Sequence, residues 1–180
     1  DPSPLSNLLN LETLYLDGNR IGNITSLSSL TQLRALSLRS NELEDISPIT
    51  SMTKLTSLFL SWMPISNLEP LSDLIFLKNL SISRAGISDL SALAKLTNLE
   101  SLSLDSNQIE DLRSLRGLTN LHSLNLQDNR ISNLAPLANL TQLQRLELGD
   151  NVIHELAPLR PLIHLTWLDL SSNQINDVAP

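Results

Sequence analysis

Residues 121–137 read LHSLNLQDNRISNLAPL, and this pattern of leucine, asparagine and isoleucine returns every 22 residues along the chain. Stepping by 22 residues from Leu11 meets a leucine in each of the eight units. Leu14 and Leu16 begin two further apolar columns, the second of which is leucine at every step except Ile82. A fixed period without insertions is the signature of a repeat protein, in which one structural unit stacks on copies of itself.

Each unit begins with a predicted short strand that ends in an asparagine turn. In Leu14-Tyr15-Leu16 the apolar side chains alternate with an outward one, which is the period-2 pattern of a strand with one buried face. Asparagine follows in six of the units, and its amide is able to satisfy backbone donors and acceptors where the chain leaves the strand. These residues are Asn19, Asn41, Asn107, Asn129, Asn151 and Asn173.

The second half of each unit carries the signals of a short helical turn. Asparagine or aspartate recurs where a side-chain oxygen caps the first N–H groups of such a turn, with Glu155 as the exception. Proline follows three residues later in five units, at a first-turn position that needs no N–H donor. The two columns comprise Asn23, Asp45, Asn67, Asp89, Asp111, Asn133 and Asp177, and Pro48, Pro70, Pro136, Pro158 and Pro180.

The period also predicts the domain organisation. One unit alone would leave its apolar face open to water, so the units are expected to fold by stacking on one another. We therefore expect a single domain over residues 1–180, made of eight 22-residue units. Asp1 falls in the column of capping residues and Pro180 in the proline column, so both ends are expected to cut a unit, as in a fragment of a longer protein.

The pattern L-x-x-L-x-L-x-x-N-x-I-x-D-I-x-P-L, read at residues 121–137, closely resembles the repeats of the internalin family of bacterial surface proteins. The resemblance covers essentially the whole chain. It implies an α/β fold, namely a right-handed leucine-rich-repeat solenoid with a concave parallel β-sheet of eight short strands and 3₁₀ or α turns on the convex side. It also implies a scaffold that binds a protein ligand through the concave face, for surface adhesion or receptor recognition, at the cell surface or secreted.

The same resemblance leaves a second hypothesis open. Similar 22-residue units occur in phosphatase-regulatory proteins and in bacterial Roco-type GTPases. The alternative function is therefore an intracellular regulatory segment, whose repeats position a neighbouring GTPase or phosphatase domain in the cytoplasm.

Composition excludes several classes of function. Nineteen acidic residues against twelve basic ones give a net charge of −7, and nucleic-acid binding needs clustered positive charge, so no nucleic acid is expected as partner. The sequence has no cysteine, which excludes thiolate metal sites and cysteine nucleophiles. No apolar run approaches the roughly 20 residues that a membrane span needs, so no membrane insertion is expected.

Binding is expected to depend on the outward positions of the strands, because the inward leucines carry no information about a ligand. Five outward residues of the N-terminal half form a candidate site, here called the aromatic–arginine patch: Tyr15, Arg39, Phe59, Trp62 and Arg84. Trp62 and Arg84 lie 22 residues apart in one column, which favours a cation–π contact. Exposed aromatic residues and arginines are frequent binding hot spots. The alternative is that Trp62 only packs on the neighbouring repeat.

The asparagine column is interrupted beside this patch. Met63 and Ala85 replace asparagine in two consecutive units. We interpret them as a paired replacement in which Met63 fills the space beside Ala85. The pair is expected to alter the loop that carries Trp62.

A second candidate site is acidic and lies in the C-terminal half. Asp128, Glu147, Asp150 and Asp169, here called the acidic group, fall on neighbouring predicted strands. Like charges across adjacent strands are destabilising, so a basic partner surface or a cation would relieve them; a solvated face is the simpler explanation. Calcium accepts carboxylate ligands, but strand spacing supplies no dedicated binding loop, so no metal site and no cofactor are predicted.

No catalytic site is predicted. His122, His154 and His164 fall in three different columns, and none of them shares a neighbourhood with a serine and a carboxylate in a triad arrangement. The five glycines form no phosphate-binding loop. The chain is therefore predicted not to be an enzyme.

Overall fold

The computed structural model describes residues 1–176, in which eight three-residue strands form one parallel sheet in chain order. The strands are β1 (Thr13–Tyr15), β2 (Ala35–Ser37), β3 (Ser57–Phe59), β4 (Asn79–Ser81), β5 (Ser101–Ser103), β6 (Ser123–Asn125), β7 (Arg145–Glu147) and β8 (Trp167–Asp169). Each strand pairs with the strand of the next unit, as a solenoid requires. The predicted right-handed solenoid with a concave parallel sheet is thus confirmed.

The register of the sheet follows directly from the repeat length. Residues 22 apart face each other, so that Leu36 pairs with Leu58, and Ser37 with Phe59. The middle leucine of every strand from β2 to β7 points inward and is buried, because the pleat turns alternate residues to opposite faces. The flanking residues of each strand therefore line up in columns on the concave face.

The convex side is built from short 3₁₀ helices. They span Ser3–Leu5, Thr25–Leu27, Ser47–Ser51, Glu69–Leu71, Ser91–Leu93, Arg113–Leu115, Ala135–Leu137 and Ala157–Leu159. The turns are 3₁₀ rather than α throughout the described chain, which suits a unit that must reverse direction within a few residues. Pro48, Pro70, Pro136 and Pro158 occupy the first turn of their helices, as predicted.

The residues of the predicted capping column lie two positions before the first helical residue. The Asn23 side-chain oxygen accepts the N–H of Thr25, the first residue of its helix, at 2.7 Å. Asp89 accepts the N–H of Ser91 in the same way, at 2.9 Å. Asp177 and Pro180, which the sequence places in the capping and proline columns, lie outside the described residues.

The core is a single continuous column of leucine and isoleucine between the sheet and the helices. Leu27, Leu30 and Leu33 are examples from the convex side and the segment that leads back to the sheet, and all three are fully buried. No helix among residues 1–176 has the length and apolar character that crossing a membrane would require.

Candidate functional site

The unit of β3 presents two aromatic rings, Phe59 and Trp62. One arginine covers each ring, Arg39 from the preceding unit and Arg84 from the following unit. The Arg39 guanidinium carbon lies 4.4 Å from the centroid of the Phe59 ring. The Arg84 guanidinium carbon lies 4.2 Å from the Trp62 ring, so the contact expected from the sequence is present. Arg39 follows β2 and Arg84 follows β4, and the two arginines thus flank the rings from opposite sides.

Tyr15 stands apart from the other four residues of the aromatic–arginine patch. It pairs in register with Ser37 of β2, and Ser37 in turn pairs with Phe59 of β3. A serine therefore separates the two rings across roughly 10 Å of sheet, at about 4.8 Å per strand. The Tyr15 side chain is 63% exposed and the Trp62 side chain 56%, so both offer apolar surface to a ligand.

Trp62 and Arg84 occupy a left-handed backbone position that the sequence did not predict. Their φ angles are 64° and 53°, in the left-handed region that bulky residues rarely adopt. Gly18 takes the equivalent place in the first unit, and Asp128 and Asp150 take it in later units. A column rich in glycine, serine and aspartate was the available signal. The positive φ therefore belongs to the repeat in all eight units, and Trp62 and Arg84 are the two large side chains that occupy this position.

The asparagine column forms a hydrogen-bonded ladder along the edge of the sheet. The Asn129 amide nitrogen donates to the carbonyl of Leu126 in its own unit and to that of Leu104 in the preceding unit, both at 3.1 Å. Its oxygen accepts the N–H of Ile109 at 3.0 Å. Asn151 repeats the arrangement one unit later, so that neighbouring asparagines share the Leu126 carbonyl.

Met63 and Ala85 open a gap in this ladder. The buried N–H of Leu43 and carbonyl of Leu60 have no hydrogen-bond partner among residues 1–176, because the side chains at 63 and 85 supply neither acceptor nor donor. Ile65 instead turns its N–H to the Met63 carbonyl, at 2.8 Å. Both replaced residues line a shallow hollow beside Trp62 and Arg84. The gap and the two strained residues therefore occupy one place.

The acidic group is better compensated than its sequence suggests. Glu147 and Asp169 are register partners on β7 and β8, but Glu147 accepts the Nε–H of Arg145 at 2.7 Å. The Ser171 hydroxyl donates to Asp169 at 2.7 Å, and this bond, followed by one from the Ser171 N–H, lowers the pKa of Asp169. The expected repulsion between neighbouring carboxylates is thus already relieved inside the chain for this pair.

The other two members of the acidic group are exposed. Asp150 accepts a hydrogen bond from the Gln127 amide at 3.1 Å, and Asp128 points to solvent in the neighbouring unit. No cluster of acidic or histidine side chains suited to a metal ion occurs in the described part of the chain. His122, His154 and His164 are all exposed, each in its own column.

Two exposed features were not among the predicted site residues. Trp167 is covered by Arg145, whose guanidinium carbon lies 4.5 Å from the ring, which makes a third arginine–aromatic stack. The signal was available, since the two residues lie 22 apart in one column. Ile75 and Phe76 expose apolar surface at the turn between the Glu69–Leu71 helix and β4, away from the sheet.

The chain matches leucine-rich-repeat families over four segments. Residues 75–117 and 119–161 match the family described as Leucine Rich repeats (2 copies), and residues 10–30 and 162–179 match two single-repeat descriptions, Leucine Rich Repeat and Leucine Rich repeat. No curated protein matches the chain by sequence.

Solved structures extend the likeness to the whole chain. An internalin (inlF) of Listeria monocytogenes is 40% identical with a TM-score of 0.84, over 99% of this chain and 59% of that one. Internalin C2 (inlC2) of the same species is 36% identical with a TM-score of 0.92, over 97% of this chain and 78% of that one. TLR13 in its complex with ssRNA13 is 27% identical with a TM-score of 0.82, over 98% of this chain and 27% of its own. The chain thus spans less than two thirds of the first internalin.

Proposed function

Because the chain belongs to the internalin-like leucine-rich-repeat family, we propose that it is a protein-recognition scaffold that binds a protein ligand through its concave face. Recognition of this kind serves surface adhesion or receptor binding. The inward residues of the repeats hold the fold, and the outward residues of the N-terminal half select the ligand.

The observation that carries this proposal is the pair of rings on the unit of β3. Phe59 and Trp62 are held by stacked arginines, and the neighbouring strands present small polar residues at the position of Phe59, such as Ser37 and Ser81. Rigid aromatic side chains lose little rotamer entropy on binding and provide large contact area, which makes them frequent hot spots. A purely structural role for Trp62 accounts poorly for its exposure and for a bulky side chain at a left-handed position that Gly18 and Asp128 occupy in other units.

The acidic group has a different role in the proposal. Asp128, Glu147, Asp150 and Asp169 lie about four units from the rings, roughly 20 Å along the sheet at strand spacing. Charges at the rim of an interface act mainly on the association rate and on its salt dependence. If a partner spans both regions, its contacts with the rings contribute most of the binding free energy. The carboxylates act mainly on the rate of encounter.

The test compares two outward residues of the concave face. Proteins retained by the immobilised chain from a cell-surface extract are purified, and their affinities are measured for the parent, for Trp62→Ala and for Ser103→Ala. Truncating a central aromatic hot spot is expected to weaken binding about thirtyfold, whereas Ser103→Ala is expected to leave affinity unchanged. The unfolding free energy of each variant is measured alongside, because an unfolded variant would also lose binding.

Equal affinities for the parent and both variants would overturn the proposal, since Trp62 would then serve packing alone. Phe76→Ala provides a further control outside the sheet, because it removes an equally exposed ring without touching the concave face. Loss of binding in Phe76→Ala with retention in Trp62→Ala would place the interface on the opposite side.

A further inference from the structure

We propose that the aromatic–arginine patch binds an acidic protein segment, which places carboxylates on Arg39 and Arg84 on either side of an apolar side chain resting on Phe59 and Trp62. This inference rests on the proposed function and adds the chemistry of the ligand. It follows from the absence of a carboxylate partner for either arginine in the described chain.

Half of the twelve lysine and arginine side chains have a carboxylate partner in the described chain. Six ion pairs occur among residues 1–176, and neither Arg39 nor Arg84 takes part in any of them. The paired cations are Arg34, Lys78, Lys95, Arg113, Arg130 and Arg145. Arg39 and Arg84 thus lie over aromatic rings without a carboxylate partner among residues 1–176, whereas Arg145, the third such arginine, has one.

The aromatic stacking leaves the hydrogen-bonding edges of both arginines available. A guanidinium lying over a ring is held by its face, while its N–H donors point outward in the guanidinium plane. That geometry matches a carboxylate, which accepts two parallel N–H bonds from one arginine. The stacked rings also fix each long side chain in place, so that less rotamer entropy is lost when a carboxylate binds.

The spacing of the two arginines defines the ligand further. Arg39 follows β2 and Arg84 follows β4, so their backbones lie two strand spacings apart, about 10 Å. Phe59 and Trp62 lie between them in sequence and on the intervening unit. A segment that rests one apolar side chain on the rings therefore places acidic neighbours within reach of both guanidinium groups.

The third stack shows why the ligand would not bind in the C-terminal half. Arg145 covers Trp167 as Arg84 covers Trp62, but Glu147 already accepts its Nε–H at 2.7 Å. The charge complementarity is thus confined to the N-terminal half. A long polyanion such as RNA would extend beyond it and meet the negative remainder of the chain, so a short acidic protein segment fits better.

The probe is the fluorescently labelled peptide SESELESES, with SQSQLQSQS and SKSKLKSKS as neutral and basic counterparts. Anisotropy titrations at low ionic strength are expected to show binding of the acidic peptide alone, weakened by added salt. Arg39→Gln and Arg84→Gln should each weaken it about two- to fivefold, as the loss of an exposed ion pair implies. Arg116→Gln is the matched control, because Arg116 is exposed on the convex side and has no carboxylate partner in the described chain.

The outcomes separate this inference from the proposed function. Equal binding of the acidic and neutral peptides, or unchanged affinity in both arginine variants, would overturn the acidic ligand while leaving the Trp62→Ala test of the concave face intact. A single-stranded RNA oligonucleotide that bound more tightly than SESELESES, and lost affinity in Arg39→Gln and Arg84→Gln, would replace the acidic segment with a nucleic acid. Loss of affinity in Arg116→Gln alone would move the anion site to the convex side.

Discussion

The two halves of the solenoid share one interior and differ at the surface. From β5 to β8 the asparagine ladder is unbroken, through Asn107, Asn129, Asn151 and Asn173. Between β3 and β4 it stops at Met63 and Ala85, and the same two units carry exposed Trp62 and Arg84 in left-handed conformations. The arginine stacked on a ring in the regular half, Arg145, has a carboxylate partner, whereas the two stacked arginines of the irregular half have none in the described chain.

This difference indicates that one repeat contains positions that stabilise the fold and positions that serve function. Positions that every unit shares stabilise the stack, because a side chain in one unit satisfies backbone groups of the next. Positions that break the pattern cost stability locally, through unpaired backbone groups and through bulky side chains at a left-handed position. Such local costs concentrated beside exposed aromatic residues are typical of a functional site rather than of the scaffold.

The largest expected effect is the removal of an asparagine from the regular half. Asn129→Ala leaves the buried Ile109 N–H without an acceptor and removes three donated bonds, so the unfolding free energy should fall by about 2–4 kcal/mol. Asn98→Ala is the control, because Asn98 is exposed and makes one bond, to the Ile75 carbonyl. Chemical denaturation that gave the two variants equal stability would contradict a structural role for the ladder.

A smaller effect of opposite sign is expected from repairing the gap. Asparagines at 63 and 85 would supply an acceptor for the Leu43 N–H and donors for the Leu60 carbonyl, following the pattern around Asn129. The double variant Met63→Asn with Ala85→Asn should raise the free energy of unfolding by about 1 kcal/mol more than the sum of the two single changes. The reason is that neighbouring asparagines share a carbonyl. Strict additivity in a double-mutant cycle would show that the gap is not a break in a cooperative network.

A third variant makes the Arg145–Trp167 stack resemble the Arg84–Trp62 stack. Glu147→Gln removes the charge that pairs with Arg145, so that a third stacked arginine becomes available over Trp167. Affinity for SESELESES should then rise about twofold, which is the scale of one exposed ion pair. An unchanged or lower affinity would mean that stacking and a free charge together are insufficient to bind a carboxylate.

The smallest expected effect concerns pH. Hydrogen bonds from the Ser171 hydroxyl and then its N–H lower the pKa of Asp169, and the Ser47 N–H followed by its hydroxyl lowers that of Asp45. A lowered pKa in the folded chain stabilises the fold above the unfolded value of about 3.9, and this contribution is lost as pH falls through the folded value. Asp169→Asn and Asp45→Asn should therefore each flatten the acid side of the stability profile. If both variants lost stability with falling pH as steeply as the parent, the assignment to Asp169 and Asp45 would be contradicted.

Most of the fold was predictable because it depends on a period. Leu14, Asn129 and Pro136 recur at fixed offsets, and each offset translates into a strand, a ladder bond or a helical first turn without further information. The left-handed position of Trp62 was not predicted, since a column of mixed glycine, serine and aspartate is a weak signal beside a column of leucines. The pairing of Glu147 with Arg145 was also not predicted, because the 22-residue spacing relates residues on neighbouring strands, whereas these two lie on one strand.

The role of the aromatic–arginine patch remains a prediction, because a single sequence reveals which side chains face outward but not what they meet. The Trp62–Arg84 contact was predictable from their shared column. The Arg39–Phe59 contact crosses from one column to another, so the spacing alone did not reveal it.

The central claim is that Trp62 serves the ligand and not the fold, and Trp62→Gly tests it most directly. Glycine adopts a positive φ without strain, as Gly18 does at the same position of the first unit, where φ is 69°. The measurement is the unfolding free energy and the affinity for the purified partner on the same preparation. The account predicts stability within about 1 kcal/mol of the parent or higher, with affinity lowered about thirtyfold. A clear loss of stability with unchanged affinity would contradict it.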